Sequence, residues 1–369
     1  MSKVIVRKAD YHYGDLKPLI FAIMDDLGGE KIGPGRRVLI KPNLLTTAKP
    51  GDAILTHYML VKAVAEYVQD KGAIAQVSDS PAIGSFQKIL KRSRIKEALA
   101  GLEVKCSEFR ESMPADIGEP FGVIDLARDA LEADVIINLP KLKTHDQMLL
   151  TLGVKNMFGC VVGLRKSEWH MRMGVSREMF ARLLVQIYRR LRPDLTILDG
   201  IIAMEGEGPG RRGAPRRLNM IIAGSDAFAV DAAVCRMLGL EPARLPTLKW
   251  AKDLGLLGEA PDIDGLLPEI GDFKLPLMSP LIFGPRSMQG LIRRHLLPRP
   301  VCDIDRCQMC GKCRKFCPAG AISCDEKRLY FDYDRCIRCY CCIEICPHGA
   351  LHTIEPLAGR LLRRVIRRG

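Results

Sequence analysis

Short apolar runs and longer amphipathic stretches alternate along the first 240 residues. Runs of valine, isoleucine and leucine predict strands at 4–6, 38–40, 74–77, 135–139, 195–198 and 220–223. Apolar positions three and four residues apart predict helices at 16–27, 57–69, 87–99, 177–190 and 227–238, with Thr56 as the cap of the second helix. Because strands that alternate with helices pair in parallel, we predict an α/β fold: a mostly parallel sheet with flanking helices.

Four regions follow from this pattern and from the composition. Residues 1–270 form the predicted α/β domain, and residues 271–300 form a basic connector rich in proline, glycine and leucine. Residues 301–355 form a small cysteine-rich domain, which an arginine-rich tail at 356–369 follows. A chain of 369 residues exceeds the usual size of one hydrophobic core, so we expect one large and one small domain.

The net charge of +13 is concentrated around the cysteine-rich domain. The connector has five basic residues and one acidic residue, and the tail has five arginines and no acid. The tail sequence LLRRVIRR predicts an amphipathic helix that docks on an acidic partner or makes peripheral contact with an anionic membrane surface; a solvated basic end is the alternative. Nucleic acid is disfavoured as a partner, because only 6% of the residues are aromatic and no basic stripe is interleaved with them.

The cysteines are clustered, since eleven of the 14 lie between Cys302 and Cys346. The chain has no stretch of about 18 apolar residues and no apolar run after its first charged residues, so we expect a cytoplasmic protein. Without an export signal, this clustering favours a metal or cluster site over a disulfide framework.

The cysteine-rich domain contains an internal duplication. The segments CQMCGKCRKFCP, from Cys307, and CIRCYCCIEICP, from Cys336, both have the spacing C-x2-C-x2-C-x3-C-P. Three closely spaced thiolates can bind three irons of one cluster, while the fourth cysteine, before the proline, reaches the other cluster. Zinc motifs lack the third cysteine at the same interval and the trailing Cys-Pro. The duplication therefore predicts two 4Fe-4S clusters.

This segment resembles the bacterial two-cluster 4Fe-4S ferredoxins, which are small α+β domains, over about 50 residues. The resemblance implies that Cys307, Cys310, Cys313 and Cys346 bind one cluster, and that Cys336, Cys339, Cys342 and Cys317 bind the other. Cys341 does not keep the spacing of the first copy, so we predict that it is not a ligand. The resemblance implies one-electron transfer, with an electron donor or acceptor protein as a partner.

Polar residues follow several predicted strands of the α/β domain. Lys41 and Asn43 end one strand, Asp79 ends the next, and Asp199 ends a later one. Lys155 and Asn156 lie between glycines in the segment GVKNMFG. Since ligands bind at the carboxyl ends of parallel strands, we predict that Lys41, Asn43, Lys155, Asn156 and Asp199 bind a cofactor or ligand of unknown identity. A flavin or a further metal ion is left open.

Lys141, Lys143 and His145 alternate after another predicted strand, and they share one face if the segment is extended. Two ammonium groups beside an imidazole are unfavourable unless an anion lies opposite, which predicts an anionic substrate; solvation and contact with a partner protein are the alternatives. We predict that these three residues are catalytic. His145 is the acid or base candidate because nearby lysines should lower its pKa, and His170 is a weaker second candidate.

Two further segments have simpler interpretations. The glycine-rich stretch from Met204 to Gly210 contains Glu205 and Glu207, and it predicts a mobile loop whose carboxylates could bind a metal, a proton or an ammonium group. Asp226 precedes an apolar helix, where it is expected as the N-cap.

The segments IKPNL, LPKLKTH, TLGVKNMFG, MEGEGP and SDAFAVDAAVCRMLG together resemble the family with domain of unknown function 362, over residues of about 36–245. Members of that family are often joined to a C-terminal ferredoxin module. The resemblance implicates several of the polar residues as motif positions but brings no established activity. These positions are Lys41, Asn43, Lys141, Lys143, His145, Lys155 and Asn156.

Two functions remain open at this point. In the first, two 4Fe-4S clusters pass electrons to or from the α/β domain, which binds an anionic substrate or cofactor as a redox enzyme. In the second, the protein is a non-catalytic electron-transfer or interaction subunit that docks on an acidic partner through its basic connector and tail.

Overall fold

A computed structural model describes most of the chain. The described residues are 2–81, 85–163, 165–166, 169, 176–276, 298–317, 319–325, 327–336, 338, 340–354 and 356. Most of the connector, at 277–297, and the tail from 357 onward therefore lie outside them, as do His170 and Cys339.

The strands are short except for two in the centre of the molecule. In chain order they are β1 (Lys3–Lys8), β2 (Arg37–Pro42), β3 (Ile74–Asp79), β4 (Val104–Glu108), β5 (Ser112–Asp116), β6 (Val123–Ala127), β7 (Val135–Leu139), β8 (Lys141–His145), β9 (Leu149–Thr151), β10 (Leu195–Gly206), β11 (Gly213–Gly224), β12 (Asp262–Asp264), β13 (Arg299–Cys302), β14 (Ile322–Cys324), β15 (Leu329–Phe331) and β16 (Leu351–Ile354).

The helices mostly lie between these strands. They are α1 (Tyr13–Asp26), α2 (Tyr58–Asp70), α3 (Phe86–Arg92), α4 (Ile95–Ala98), α5 (Arg128–Leu131), α6 (Gly153–Asn156), α7 (Arg177–Leu191), α8 (Ala227–Met237), α9 (Pro246–Asp253), α10 (Lys312–Lys315) and α11 (Cys341–Glu344). Among the described residues, no helix is long and apolar enough to cross a membrane.

One large mixed sheet organises residues 3–264. Its strand order is β12-β1-β11-β10-β7-β2-β3-β4, and β8 pairs with the second half of β10 and with β9. The pairings from β10 through β7, β2 and β3 to β4 are parallel, whereas β11 is antiparallel to β1 and β10. The predicted α/β fold with a mostly parallel sheet is confirmed.

The sheet separates two hydrophobic layers because successive side chains of a strand point to opposite faces. Ile40 and Ile137 face the layer formed with α1 to α4, while Leu39 and Ile136 face the layer formed with α6 to α9. Helices therefore cover both faces, as parallel strands with buried faces require.

Two local predictions were wrong. The helix expected at 87–99 is divided into α3 and α4, because Arg94 adopts a left-handed conformation with φ of 66°. Thr56 does not cap α2. The cap is His57, whose side chain accepts a hydrogen bond from the Met59 amide, and the Thr56 hydroxyl instead donates to the Leu139 carbonyl oxygen at 2.6 Å.

The cysteine-rich region forms a small domain around two antiparallel strand pairs, β13 with β16 and β14 with β15. Its two short helices, α10 and α11, each carry the third cysteine of one motif copy, Cys313 and Cys342. The internal duplication seen in the sequence is therefore also present in the structure. The predicted small C-terminal domain is confirmed.

Candidate functional site

The carboxyl edge of the sheet brings the predicted polar residues together. In the parallel register, Lys41 lies opposite Asn138, and Asp199 of β10 lies opposite Lys141 of β8. The alternating segment 141–145 is a strand, as its pattern predicted, and all five of its residues are buried. Lysines on these strands therefore enter the interior and need partners there.

Lys141 forms a buried ion pair with Asp199, with 2.9 Å between Nζ and Oδ2. The carboxylate also accepts a hydrogen bond from the Tyr11 hydroxyl at 2.6 Å and one from the His57 amide at 2.9 Å. Burial lowers the pKa of Lys141, and the charge of Asp199 opposes that shift. Asp199, predicted as a ligand-binding residue, thus holds a lysine of the same chain.

The Tyr11 ring extends this ion pair toward α2. Its hydroxyl accepts a hydrogen bond from Lys141 Nζ at 3.0 Å, and its ring stacks on His57 with 3.5 Å between the ring centroids. Burial raises the pKa of Tyr11, and burial lowers the pKa of His57 to about 4. At neutral pH, therefore, a neutral phenol and a neutral imidazole cover the ion pair.

A second buried ion pair joins β2 to β3. Lys41 Nζ lies 2.9 Å from Asp79 Oδ1, and the Leu44 amide donates to Asp79 Oδ2 at 2.8 Å. A side chain at Gly159 would collide with both members of this pair, so a glycine is required there. Lys166 donates to the Ser80 carbonyl oxygen nearby, and burial lowers its pKa to about 8.

A chain of side-chain hydrogen bonds links Lys143 to the centre of the sheet. Lys143 Nζ donates to Asn43 Oδ1 at 2.7 Å, and Asn43 Nδ2 donates to Asn156 Oδ1 at 2.9 Å. Asn156 Nδ2 in turn donates to Asn138 Oδ1 at 2.8 Å and to the Lys41 carbonyl oxygen at 3.2 Å. Lys41, Asn43, Lys143 and Asn156 thus form one connected site.

The other predicted residues lie at the margin of this site. His145 is buried at the end of β8, where its Nδ1 accepts hydrogen bonds from the amides of Gln147 and Met148 at 3.2 and 3.3 Å. The ammonium of Lys155 lies 6.0 Å from the centroid of the Phe180 ring on α7.

Asp231 is a site residue that the sequence analysis missed. Its two carboxylate oxygens accept hydrogen bonds from the amides of Gly153 and Val154, at 2.7 and 3.2 Å, and so hold the first turn of α6. Burial raises the pKa of Asp231 to about 8. The available signal was an acid within the apolar run AFAVDAAVC. Asp226 is the N-cap of α8, as predicted.

The predicted mobile loop from Met204 to Gly210 needs correction, because β10 continues through Gly206. Glu205 is buried there and pairs with Arg216 at 3.0 Å. Glu207 is 56% exposed and lies 3.4 Å from Arg212. The end of β10 thus replaces the first half of the expected loop, and both carboxylates are ion-paired.

The first cysteine set shares one cavity. Cys307, Cys310, Cys313 and Cys346 line it together with Met309 and Leu351. In each motif copy an amide four residues after the last cysteine donates to its sulfur: Ala321 to Cys317 at 3.3 Å and Ala350 to Cys346 at 3.2 Å. Grouped thiolates with amide donors match the chemistry that holds iron-sulfur clusters. Cys341 is buried beside Cys342.

The small domain contacts the carboxyl edge of the sheet. Gln147 Nε2, two residues after His145, donates to the Arg338 carbonyl oxygen at 3.5 Å. A cavity between the two domains is lined by residues of both. They are Asp146, Glu207, Gly208, Arg212 and Pro276 on one side and Ile343, His352 and Thr353 on the other. The second cysteine motif is therefore next to the polar site.

Comparison with known proteins identifies the class. Residues 38–236 match the family described as domain of unknown function 362, and residues 303–323 and 329–352 match the 4Fe-4S binding domain. The chain belongs to the family with domain of unknown function 362 and carries a 4Fe-4S binding domain, so both sequence resemblances are confirmed.

Two individual proteins are similar to this chain. The thylakoid-associated protein sll1697 of Synechocystis sp. is 38% identical over an alignment of 305 residues, and the match covers 80% of this chain and 95% of that protein. The lactate racemase apoprotein from Thermoanaerobacterium thermosaccharolyticum is structurally similar over 62% of this chain and 55% of its own, with a TM-score of 0.39 and 11% identity.

Mutation of the buried Lys141–Asp199 pair should lower the stability of the fold. Lys141→Met leaves a buried carboxylate without its counter-charge, so the free energy of unfolding should fall by about 3–5 kcal/mol in urea denaturation. The double variant Lys141→Met/Asp199→Leu should recover part of that loss. As a control, Lys71→Met removes one member of the exposed Lys71–Asp25 pair, also 2.9 Å apart, and should stay near wild type. Equal losses at the buried and exposed pairs would contradict this account.

The raised pKa of Asp231 predicts that the free energy of unfolding depends on pH. Folding raises the pKa of this carboxyl to about 8. The carboxyl therefore stabilises the fold fully at a pH below the pKa that it has in the unfolded chain. This stabilisation is lost as the pH rises through the pKa of the folded state. Between pH 4 and 8 the wild type should therefore lose about 2–5 kcal/mol of unfolding free energy relative to Asp231→Asn. Denaturation curves at several pH values measure the two slopes, and parallel slopes would show that Asp231 is ionised throughout.

Proposed function

We propose that this protein is an iron-sulfur oxidoreductase in which two 4Fe-4S clusters exchange electrons with an anionic ligand at the carboxyl edge of the sheet. One cluster is held by Cys307, Cys310, Cys313 and Cys346, and the other by Cys336, Cys339, Cys342 and Cys317. The shared cavity of the first set and the matching amide-to-sulfur hydrogen bonds of both motif copies support this assignment. The clusters supply one-electron chemistry when bound.

The contact between the two domains carries the proposal. The second motif lies against Gln147 through Arg338, and His145 is only two residues before that contact. A simple electron carrier does not need its cluster domain next to a buried polar site. In a redox enzyme the protein has to place its electron carrier beside the ligand, and the contact between the two domains supports such a role.

The charges at the edge favour an anionic ligand. Lys41 and Lys166 both interact with Asp79, so two ammonium groups share one carboxylate at that end of the site. Hydrogen bonds from Lys143 through Asn43 and Asn156 fix the positions of the donor groups before a ligand arrives. In this proposal Lys143 holds the negative charge of the ligand, Lys141 stays paired with Asp199, and His145 donates or accepts the proton that accompanies electron transfer.

A single anaerobic preparation tests the proposal. Wild-type protein should contain about eight irons and eight sulfides per chain, and the dithionite-reduced sample should show the electron paramagnetic resonance spectrum of two interacting clusters. About four irons would contradict the two-cluster assignment.

The same reduced sample tests the ligand site. In stopped-flow mixing with 2-oxo acids and other carboxylates that carry a reducible carbonyl or double bond, at least one anion should reoxidise the clusters, and Lys143→Met should slow that reaction at least tenfold without changing the iron content. Lys62→Met, on the outer side of α2, is the matched control and should react like wild type. If no anion reoxidises a fully loaded protein, the oxidoreductase proposal fails and an electron carrier remains.

A second role, peripheral contact with an anionic membrane surface, is favoured by two observations. The relative from Synechocystis is described as thylakoid-associated, and the tail at 356–369 carries five arginines without an acid. Basic residues beside apolar ones are attracted to anionic headgroups by about 1 kcal/mol each. We include this contact in the proposal as a way of positioning the protein at a membrane.

Deletion of residues 356–369 should abolish co-sedimentation with phosphatidylserine-containing vesicles, because the deletion removes five positive charges. The iron content should stay at the wild-type value. A variant with all five tail arginines changed to glutamine keeps the tail length and should also lose binding. Unchanged co-sedimentation of either variant would exclude the tail as the membrane contact.

A further inference from the structure

The two cysteine motifs differ in what surrounds them. In the first motif Cys310 and its neighbour Gln308 are exposed to solvent. In the second motif Tyr340, Cys341 and Cys342 are buried, and the Tyr340 hydroxyl donates to the Pro298 carbonyl oxygen at 2.9 Å. The first motif therefore has a solvent-exposed ligand cysteine, while the second is buried and contacts the α/β domain through Arg338.

The motifs also differ in charge. Between Arg306 and Ser323 the chain has four basic residues and no acid, whereas the matching span of the second copy, Arg335 to His352, has two arginines and one glutamate. Helix α10 carries Lys312, Arg314 and Lys315, and the last two are exposed. The first motif is therefore the more positive of the two.

Acids near the first motif do not pair with the basic residues of α10. Asp303 neutralises Arg306 at 3.5 Å, whereas among the described residues no carboxylate lies within ion-pair distance of Lys312, Arg314 or Lys315. An exposed group of lysine and arginine side chains is suited to binding an acidic protein surface.

We infer that the surface formed by Cys310, Lys312, Arg314 and Lys315 docks an acidic redox protein. The inference rests on the proposed function, since it assumes that both clusters are present. In the direction toward the α/β domain, one electron leaves the donor centre of the partner and reduces the first cluster. The same electron then passes to the second cluster, which lies beside the polar site. No bond is formed or broken in these transfers.

Two small oxidants of opposite charge test the surface. The reduced protein is mixed in a stopped-flow instrument with the EDTA complex of cobalt(III), an anion, or with hexaamminecobalt(III), a cation. Because a positive surface attracts the anion, its rate should fall with ionic strength, and the rate of the cation should rise. Arg314→Glu/Lys315→Glu should lower the ratio of anion rate to cation rate at least tenfold.

The matched control is Lys91→Glu/Arg92→Glu, which reverses an adjacent, exposed lysine and arginine at the end of α3. It makes the same change in net charge, and the ratio should stay within about twofold of wild type because these residues belong to the α/β domain. As an independent readout, a small acidic flavodoxin should bind the wild type and the control equally. Its Kd for Arg314→Glu/Lys315→Glu should be at least tenfold higher.

The outcomes separate this inference from the proposed function. If the variant has full iron content and an unchanged rate ratio, the docking surface is wrong and the two-cluster proposal stands. A wild-type protein that reacts faster with the cation at low ionic strength would also overturn the surface. If the wild type lacks two clusters, the proposed function fails and this inference fails with it.

Discussion

Neutralisation of buried lysines is the constraint on which the site depends. An ammonium group taken from water into a protein interior costs several kcal/mol, and only a close counter-charge with further hydrogen bonds offsets that cost. Asp79 and Asp199 provide this for Lys41 and Lys141, each at 2.9 Å. Because the members of each pair belong to different strands, the pairs also fix β2 against β3 and β8 against β10. The polar edge is thus held by the same contacts that neutralise its lysines.

The remaining donors are positioned through α6. Asp231 binds the amides of Gly153 and Val154 and thereby sets where Asn156, at the end of that one-turn helix, meets Asn43. Asn43 in turn accepts from Lys143, so the position of that lysine depends on a carboxylate that it does not touch. Fixed donors lose little conformational entropy when a ligand binds, which is the physical advantage of such a network.

The sequence alone predicted the features that depend on residues close together in the chain. Apolar runs located the six predicted strands, and the alternation of Lys141, Lys143 and His145 predicted a shared face for an extended segment, which β8 is. Contacts between distant residues left no comparable signal: Tyr11 and Asp199 are 188 residues apart, and Gly153 and Asp231 are 78 apart. The wrong prediction of Thr56 as the cap of α2 has the same cause, because the Thr56 hydroxyl donates to the carbonyl oxygen of Leu139, 83 residues away.

The duplicated motif shows how one spacing can serve two surroundings. The cysteine intervals are the same in both copies because the geometry of a cluster determines which thiolates can reach its irons. The residues between the cysteines are not fixed in this way, and they differ: Lys312, Arg314 and Lys315 lie in the first copy, where Cys341, Ile343 and Glu344 lie in the second. The three residues of the first copy fit a motif that is exposed. Those of the second copy fit a motif that contacts the α/β domain. In the proposed electron path, those intervening residues, and not the ligands, would distinguish the entrance from the interior end.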